Sequence, residues 1–419
     1  MNNSASDSPS YTLVYYSGDR KTGEIALIEC EAGRFTVKPL EVAPETGLDK
    51  DSRPILVGVA ADRRVILLDP VNKEIKLCSA FPADAFPAHI YSDPSSSRDW
   101  FMNDGDKETG NDQRNCGDQG SSVTVVADTA SSSARYLATT CVGRGHHQAC
   151  FSYPSEAAPD VPSQAYISNL KDGTISVIGN NPDEPDRYLK LVSSINLCEP
   201  EKEDLAAAVV PNNAFPHGLA YSPLSGKIYN LNNGYGTIAV IDPASNEIVE
   251  RLGFKGHSNL FVTPDGRYII GRGADRKSDP QHVVARLTVL DVRTHRIVGE
   301  AQLPDIYISK YYFNQDGSKL YLTTSASGSP EQQASLKKDA LLILDMTVLP
   351  EIRVLKEHRL GTSSGSLAFL NQADGSRLVF SSASGEGALT LIDARTDEVL
   401  DTVPVTQGKS HSRVWLLGQ

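Results

Sequence analysis

The stretch CVGRGHHQAC, residues 141–150, sets His146 beside His147 in a chain of 419 residues that has 9 histidines. Neutral imidazole is a common protein ligand for copper, iron and zinc, so a histidine pair raises the question of a metal site. Other histidines open short apolar segments of the same kind: His89 in FPAHIYSDP, His217 in FPHGLAYSP, His257 in GHSNLFVTP and His411 in SHSRVWLLG. His217 lies nine residues before Gly226 and His257 nine before Gly266, which gives these two the same place in a repeat. Imidazoles spread this widely along a chain can share one metal only if the fold returns each segment to a common point.

The repeat supplies such a fold. A β-branched run usually closed by an acid recurs as EIALIEC (24–30), VILLDP (65–70), VTVVAD (123–128), TISVIGN (174–180), TIAVIDP (237–243), LTVLDV (287–292), ALLILD (340–345) and ALTLID (388–393). Each has the length and composition of a strand. Polar turns such as PASNE and ARTDE follow, then a second apolar run. Hairpin turns such as TPDG, NQDG and QADG come before, where Asp-Gly suits a tight turn. The unit is thus four antiparallel strands, and helical periodicity is scarce. Such units repeated radially predict an all-β fold, a single β-propeller of eight blades over residues 11–419, with residues 1–10 disordered. The N-terminal YTLVYYSGD, GEIALIEC and RFTVKPLEV lack an inner strand and SHSRVWLLG lacks partners, so the two ends are expected to complete one blade together. Residues 46–80 leave little room for a full blade, and seven blades is the alternative.

In an up-and-down blade, the start of the innermost strand and the loop between the second and third strands lie on one face. His89, His146, His147, His217, His257 and His411 all fall at inner-strand starts and are the expected metal ligands. Lys310, with Asp305 just before it in DIYISKYYF, and Ser366 hold corresponding places in other units; Lys310, able to steer an anion or donate a proton, and Asp305 are the candidate catalytic residues. Long insertions at 103–121, 272–285 and 324–339 project on the same face, and their polar composition suits either functional lids or disordered segments. Cys116 and His282 ride on them as further candidate ligands. His295 and His358 are expected at the surface, and the six cysteines, with no CxxC, are expected to be mostly buried thiols.

The segments QAYISNLKDGTISVIG (164–179) and HGLAYSPLSGKIYNLNNGYGTIAVIDPASNEIVERL (217–252) resemble YVTN-type propeller repeats. That resemblance implies the fold and little about function, because such propellers serve many purposes. The histidine positions look like those of copper-bearing propeller enzymes such as nitrous oxide reductase and thiocyanate dehydrogenase. This implies a copper oxidoreductase acting on a small molecule, with iron as the alternative metal and an external electron donor or dioxygen as the redox partner. A non-catalytic propeller that binds a protein, and a lactonase-like hydrolase using these histidines and Arg272, are the competing readings. The net charge of −12 disfavours nucleic acid. No run of apolar residues is long enough for a membrane helix, and no G-x-S-x-G or H-E-x-x-H is present. The polar MNNSASDSPS start suggests a cytoplasmic protein, or an exported one with its signal removed.

Overall fold

Strands of five to nine residues joined by short turns account for most of the protein. The computed structural model describes residues 11–18, 23–31, 34–40, 42–43, 55–59, 65–69, 74–78, 87–103, 116, 121–127, 135–361, 364–371, 377–383, 387–405 and 411–417. Residues 1–10 lie outside them. The described residues form eight four-stranded sheets, here called sheets I to VIII in chain order, and the helical content is confined to 3-10 turns.

Sheet I unites the chain ends: Arg34–Leu40, Gly23–Glu31 and Tyr11–Gly18 are joined by His411–Leu417, with Tyr15 opposite Val414. This is the closure expected from the unpartnered end segments. Sheet II is the irregular unit. Ile55–Val59, Val65–Asp69 and Glu74–Cys78 pair antiparallel, and a two-residue strand, Val42–Ala43, adds to the outer edge in parallel. The remaining six sheets run first to fourth strand in chain order.

The middle strands carry apolar runs because both faces are covered. Every residue of Arg98–Asn103, Ser122–Ala127, Gln164–Asn169 and Thr174–Gly179 is buried, whereas fourth strands such as Glu247–Gly253 and Arg353–Arg359 are largely exposed. A strand buried on both sides loses the polar alternation of a half-exposed one. The acid that ends four of the third strands has a mechanical cause. Asp242, Asp291, Asp345 and Asp393 turn their carboxylates onto backbone amides two residues on, at 3.2, 2.8, 2.9 and 2.7 Å. These are Asx turns. Three of the hairpins then take a residue with positive φ: Asn246 (56°), His295 (52°) and Asp397 (59°).

The chain divides into two compact units. One comprises residues 1–78, 276–284 and 303–419, the other 79–275 and 285–302. In the second unit the first strands of sheets III to VI pack side by side in succession: Pro87–Ser92, His146–Ser152, Pro216–Ser222 and Asn259–Val262. Cys150, Tyr166, Ile175 and Val177 of sheet IV meet Leu219, Tyr221, Ile228, Ala239 and Ile241 of sheet V. A similar layer joins sheets V and VI through Tyr229, Leu231, Ile238, Leu260, Ile269 and Leu290. Buried tyrosines tie neighbouring sheets at their rims. Tyr166 Oη donates to Asn246 Oδ1 at 2.8 Å, and Tyr229 Oη pairs with His295 Nε2 at 3.2 Å. In the first unit, Ile308–Phe313 packs beside Ser364–Asn371, which packs beside His411–Leu417.

One expectation is corrected here. Cys116 is not an available ligand: it forms a disulfide with Cys141, Cα to Cα 5.7 Å, and Cys30, Cys150 and Cys198 are the buried free thiols among the described residues. A partner 25 residues away, with the right Cα separation, is a property of the folded backbone and not of spacing. His295 and His358 lie part-exposed on a turn and an outer strand, as expected, and each has a hydrogen-bond partner. His295 Nδ1 pairs with Glu250 Oε2 at 2.5 Å, and His358 Nε2 donates to the Asp397 carbonyl at 2.7 Å.

Candidate functional site

One irregularity recurs where the histidines stand. In five sheets the pairing of first and second strands slips at the start of the first strand: between Pro87 and His89, His146 and Ala149, Pro216 and Leu219, Ile308 and Lys310, and Ser364 and Leu367; in sheet II a slip falls mid-strand, between Leu56 and Gly58. These are β-bulges, which bend the strand and redirect side chains near functional sites. His146 faces Asn169 as Pro216 faces Asn232, so His147 and His217 occupy the same bulge position on neighbouring strands. His89 and Lys310 lie one residue past their bulges. Gly365 and Ser366 fill the bulge of sheet VIII.

His217 shows what the bulge does. Leu219, two residues on, faces the layer between sheets IV and V, and strict alternation would turn His217 the same way. Instead its Nδ1–H donates to the Ser258 carbonyl of sheet VI at 2.5 Å. That bond leaves the lone pair of the neutral ring on Nε2. Burial lowers the pKa of His217 against the opposing pull of Ser258, and the charge of Arg272 lowers it further. The ring is therefore neutral at neutral pH. Arg272 is placed by backbone pairing: its carbonyl accepts from Ser258 N at 2.8 Å, and it stands opposite Asn259. Gln148, beside His147, bridges to the next strand by accepting from Leu219 N at 3.1 Å.

His257 falls elsewhere. It precedes Asn259–Val262 by two residues, is buried, and stacks on Phe254 with ring centroids 4.1 Å apart. Its Nε2 meets Thr288 Oγ1 at 2.8 Å, and its Nδ1 is buried without a hydrogen bond of ordinary geometry, although the backbone at Phe254 and Lys255 favours a proton there. Burial depresses its pKa to about 4. A side chain at Gly271 would strike both rings of this stack. Counting back from glycine misled because the hairpins differ: Gly226 N bonds the carbonyl four residues back, Gly266 N the one three back. The sheet VI segment also has no bulge.

The side chains of His89, His146, His147 and His411 lie outside the described residues. Their backbones place them at the starts of Pro87–Ser92, His146–Ser152 and His411–Leu417. His411 belongs to the other unit. Among the described residues no three His, Cys, Asp or Glu side chains converge as a metal-binding group.

Asp305 Oδ1 accepts from His282 Nδ1 at 2.7 Å, and Lys310, half-buried, donates its amide to Thr323 Oγ1 at 3.2 Å. Insertion 272–285 is shorter than expected, because Tyr268–Asp275 and Val284–Asp291 extend into it and leave 276–283 as loop. The third insertion holds a 3-10 turn, Gln332–Ala334, and most of the first lies outside the described residues. Gln332, Gln148 and Ser258 were not identified from sequence; an amide or hydroxyl in a loop carries no pattern that marks it as a clamp.

No family model and no curated protein matches the chain. Solved structures do. Dihydro-heme d1 dehydrogenase NirN, in complex with DHE, is 13% identical over 97% of this chain and 75% of its own, with a TM-score of 0.55. Hydrazine synthase of Kuenenia stuttgartiensis is 16% identical over 80% and 91%, with a TM-score of 0.52. A putative 6-phosphogluconolactonase of Bacteroides uniformis is 13% identical over 87% and 99%, also at 0.52. At these identities the likeness is one of fold: an all-β protein of β-propeller type.

Proposed function

We propose that the protein is a metal-dependent oxidoreductase acting on a small molecule, with copper, or alternatively iron, held by imidazoles at the first-strand starts of the second unit. His146, His147 and His217 would be the principal ligands, with His89 beside them. The observation that carries this reading is the shared bulge: it gives His147 and His217 one register position on strands that pack against each other. His217 also has the arrangement usual in metal-ligating histidines, one ring nitrogen fixed by a carbonyl and the other carrying the lone pair. His257, bonded through Nε2 inside a packed layer, is left to structure. Arg272, whose charge acts on His217, would repel a bare cation and favour an anionic small molecule that offsets it.

Redox use of this fold fits a dehydrogenase and hydrazine synthase among the similar structures. The lactonase-like name of another supports a hydrolase as the second reading. The electron partner would be an external donor or dioxygen. A disulfide between Cys116 and Cys141 favours an oxidising compartment, hence the exported alternative over the cytoplasmic one.

Elemental analysis of the purified protein tests the proposal. Near-stoichiometric copper or iron is expected, lost in His147→Ala and in His217→Ala with the fold intact by circular dichroism. A metal-free protein that takes up neither added copper nor added iron would refute it.

A further inference from the structure

We propose that His282 and Asp305 form a second, metal-independent acid–base centre, in the other unit, that hydrolyses the carbonyl of small esters or lactones. It does not rest on the metal reading.

His282 comes from the 276–283 loop of sheet VI and Asp305 from the connection into Ile308–Phe313 of sheet VII. Their 2.7 Å bond fixes the proton on Nδ1 and leaves Nε2 as the base. The imidazole is 48% exposed and the carboxylate 25%, so the base is open to water and substrate while its orienting group is shielded. Asp305 raises the basicity of His282, first through the hydrogen bond and then through its charge, and Asp279 adds to this.

The pair is held more firmly than a surface ion pair. Asp305 N donates to the Val283 carbonyl at 2.7 Å, and the Asp305 carbonyl accepts from Lys337 N at 2.8 Å. Its φ of 59° is a left-handed conformation that Asp tolerates better than most residues. The buried Gln332 amide donates to the carbonyls of Arg276, Asp279 and His282, at 3.1, 2.9 and 3.2 Å, and so clamps one insertion onto the other. Arg276 therefore has its backbone within reach of the same Gln332 nitrogen as His282. Its guanidinium lies over the Tyr307 ring, 5.5 Å from the centroid, two residues beyond Asp305. This supplies a positive charge for a developing oxyanion. The other charged groups on the packed loops are Lys277, Lys338, Glu331, whose carboxylate accepts from Ser329, Lys337, paired with Glu357, and Asp339, paired with Arg359.

In the proposed step His282 Nε2 takes a proton from water as the water oxygen bonds to the carbonyl carbon. The carbon–oxygen single bond of the ester then breaks, and the same proton passes to the leaving oxygen. An acid and an alcohol result, or one hydroxy acid from a lactone, with nothing oxidised or reduced.

The full chain, stripped with EDTA, is assayed with p-nitrophenyl acetate and with dihydrocoumarin. Hydrolysis above buffer is expected, falling about 100-fold in His282→Gln. Asp305→Asn, which keeps a residue tolerant of positive φ, should lose about tenfold and move the midpoint of the pH–rate profile down, a change that a purely structural role would not produce. As a measurement on the unmutated protein, carbethoxylation of His282 by diethyl pyrocarbonate should remove the activity, and hydroxylamine should restore it. No hydrolysis of either probe, loss of activity on EDTA treatment, an undiminished His282→Gln, or full activity after His282 is carbethoxylated would each overturn the proposal. An unchanged pH profile in Asp305→Asn would overturn the positioning role of Asp305.

Discussion

Replacing Gln332 with Met removes the polar end of a side chain that is 2% exposed while keeping its length and approximate shape. Its two N–H donors serve three carbonyls, and its Oε1 accepts from Ser329 N at 3.0 Å. A net hydrogen bond contributes about 1 kcal/mol, and a buried carbonyl left without a partner costs about 1–3 kcal/mol. Counting the bonds donated and accepted gives roughly 2–4 kcal/mol. Arg276, Asp279 and His282 are at least partly exposed, so water can reach some of the released carbonyls and the lower end, about 2 kcal/mol, applies. This is a local cost, because the clamp joins two insertions and no strand depends on it. At about 1.4 kcal/mol per factor of ten, backbone amides held by the clamp should exchange with deuterium about 30-fold faster. The amides to follow are those of Asp305 and Lys337, bonded to Val283 and Asp305 respectively. Amides of sheet V, such as those of Ile228 and Val240, should be unaffected. Unchanged exchange at 305 and 337, or acceleration spread equally over sheet V, would refute the clamp.

The tyrosine ties make a paired test. Tyr166→Phe loses a buried hydrogen bond to Asn246 and should cost about 1 kcal/mol, whereas Tyr321→Phe removes a buried hydroxyl without a hydrogen bond and should be neutral or stabilising; denaturant midpoints compared at constant slope decide, and a larger loss in Tyr321→Phe would count against it. Burial alone would raise the pKa of Glu199, but bonds from Thr237 and Lys202 and the charge of Arg251 outweigh burial and hold it below its ordinary 4.5. A lowered folded-state pKa gives stability that is present above the unfolded value and lost as pH falls through the folded one. Glu199→Gln should thus be less stable than the wild type by about 2 kcal/mol at pH 7, with the gap narrowing as pH falls below 4.5, and a gap that does not narrow on acidification would contradict it. Removing the disulfide with Cys116→Ser and Cys141→Ser reopens a 25-residue loop and should cost up to about 3.5 kcal/mol, read from the shift in thermal midpoint against the wild type.

Some of this was written in the residues. β-Branched apolar runs, Asp-Gly hairpins and closing acids announce four-stranded sheets, because a turn and a strand are set by neighbours along the chain. The pairing of the two chain ends in sheet I followed from counting unpartnered strands, and Val414 opposite Tyr15 bears it out. Sheet II kept its count by an unforeseen route, since the two-residue parallel strand Val42–Ala43 is too short to carry a pattern.

Side-chain direction belonged to the tertiary structure. His217 and His257 look alike in sequence, yet a bulge turns one toward Ser258 while the other stacks in a core layer, because one extra backbone residue reverses which face a side chain meets. Asp305 meets His282, 23 residues earlier, a contact that no local pattern in the sequence marks. Proximity along the chain fixes turns and strands, whereas ligands, clamps and bases are fixed by which strand ends the packing brings together.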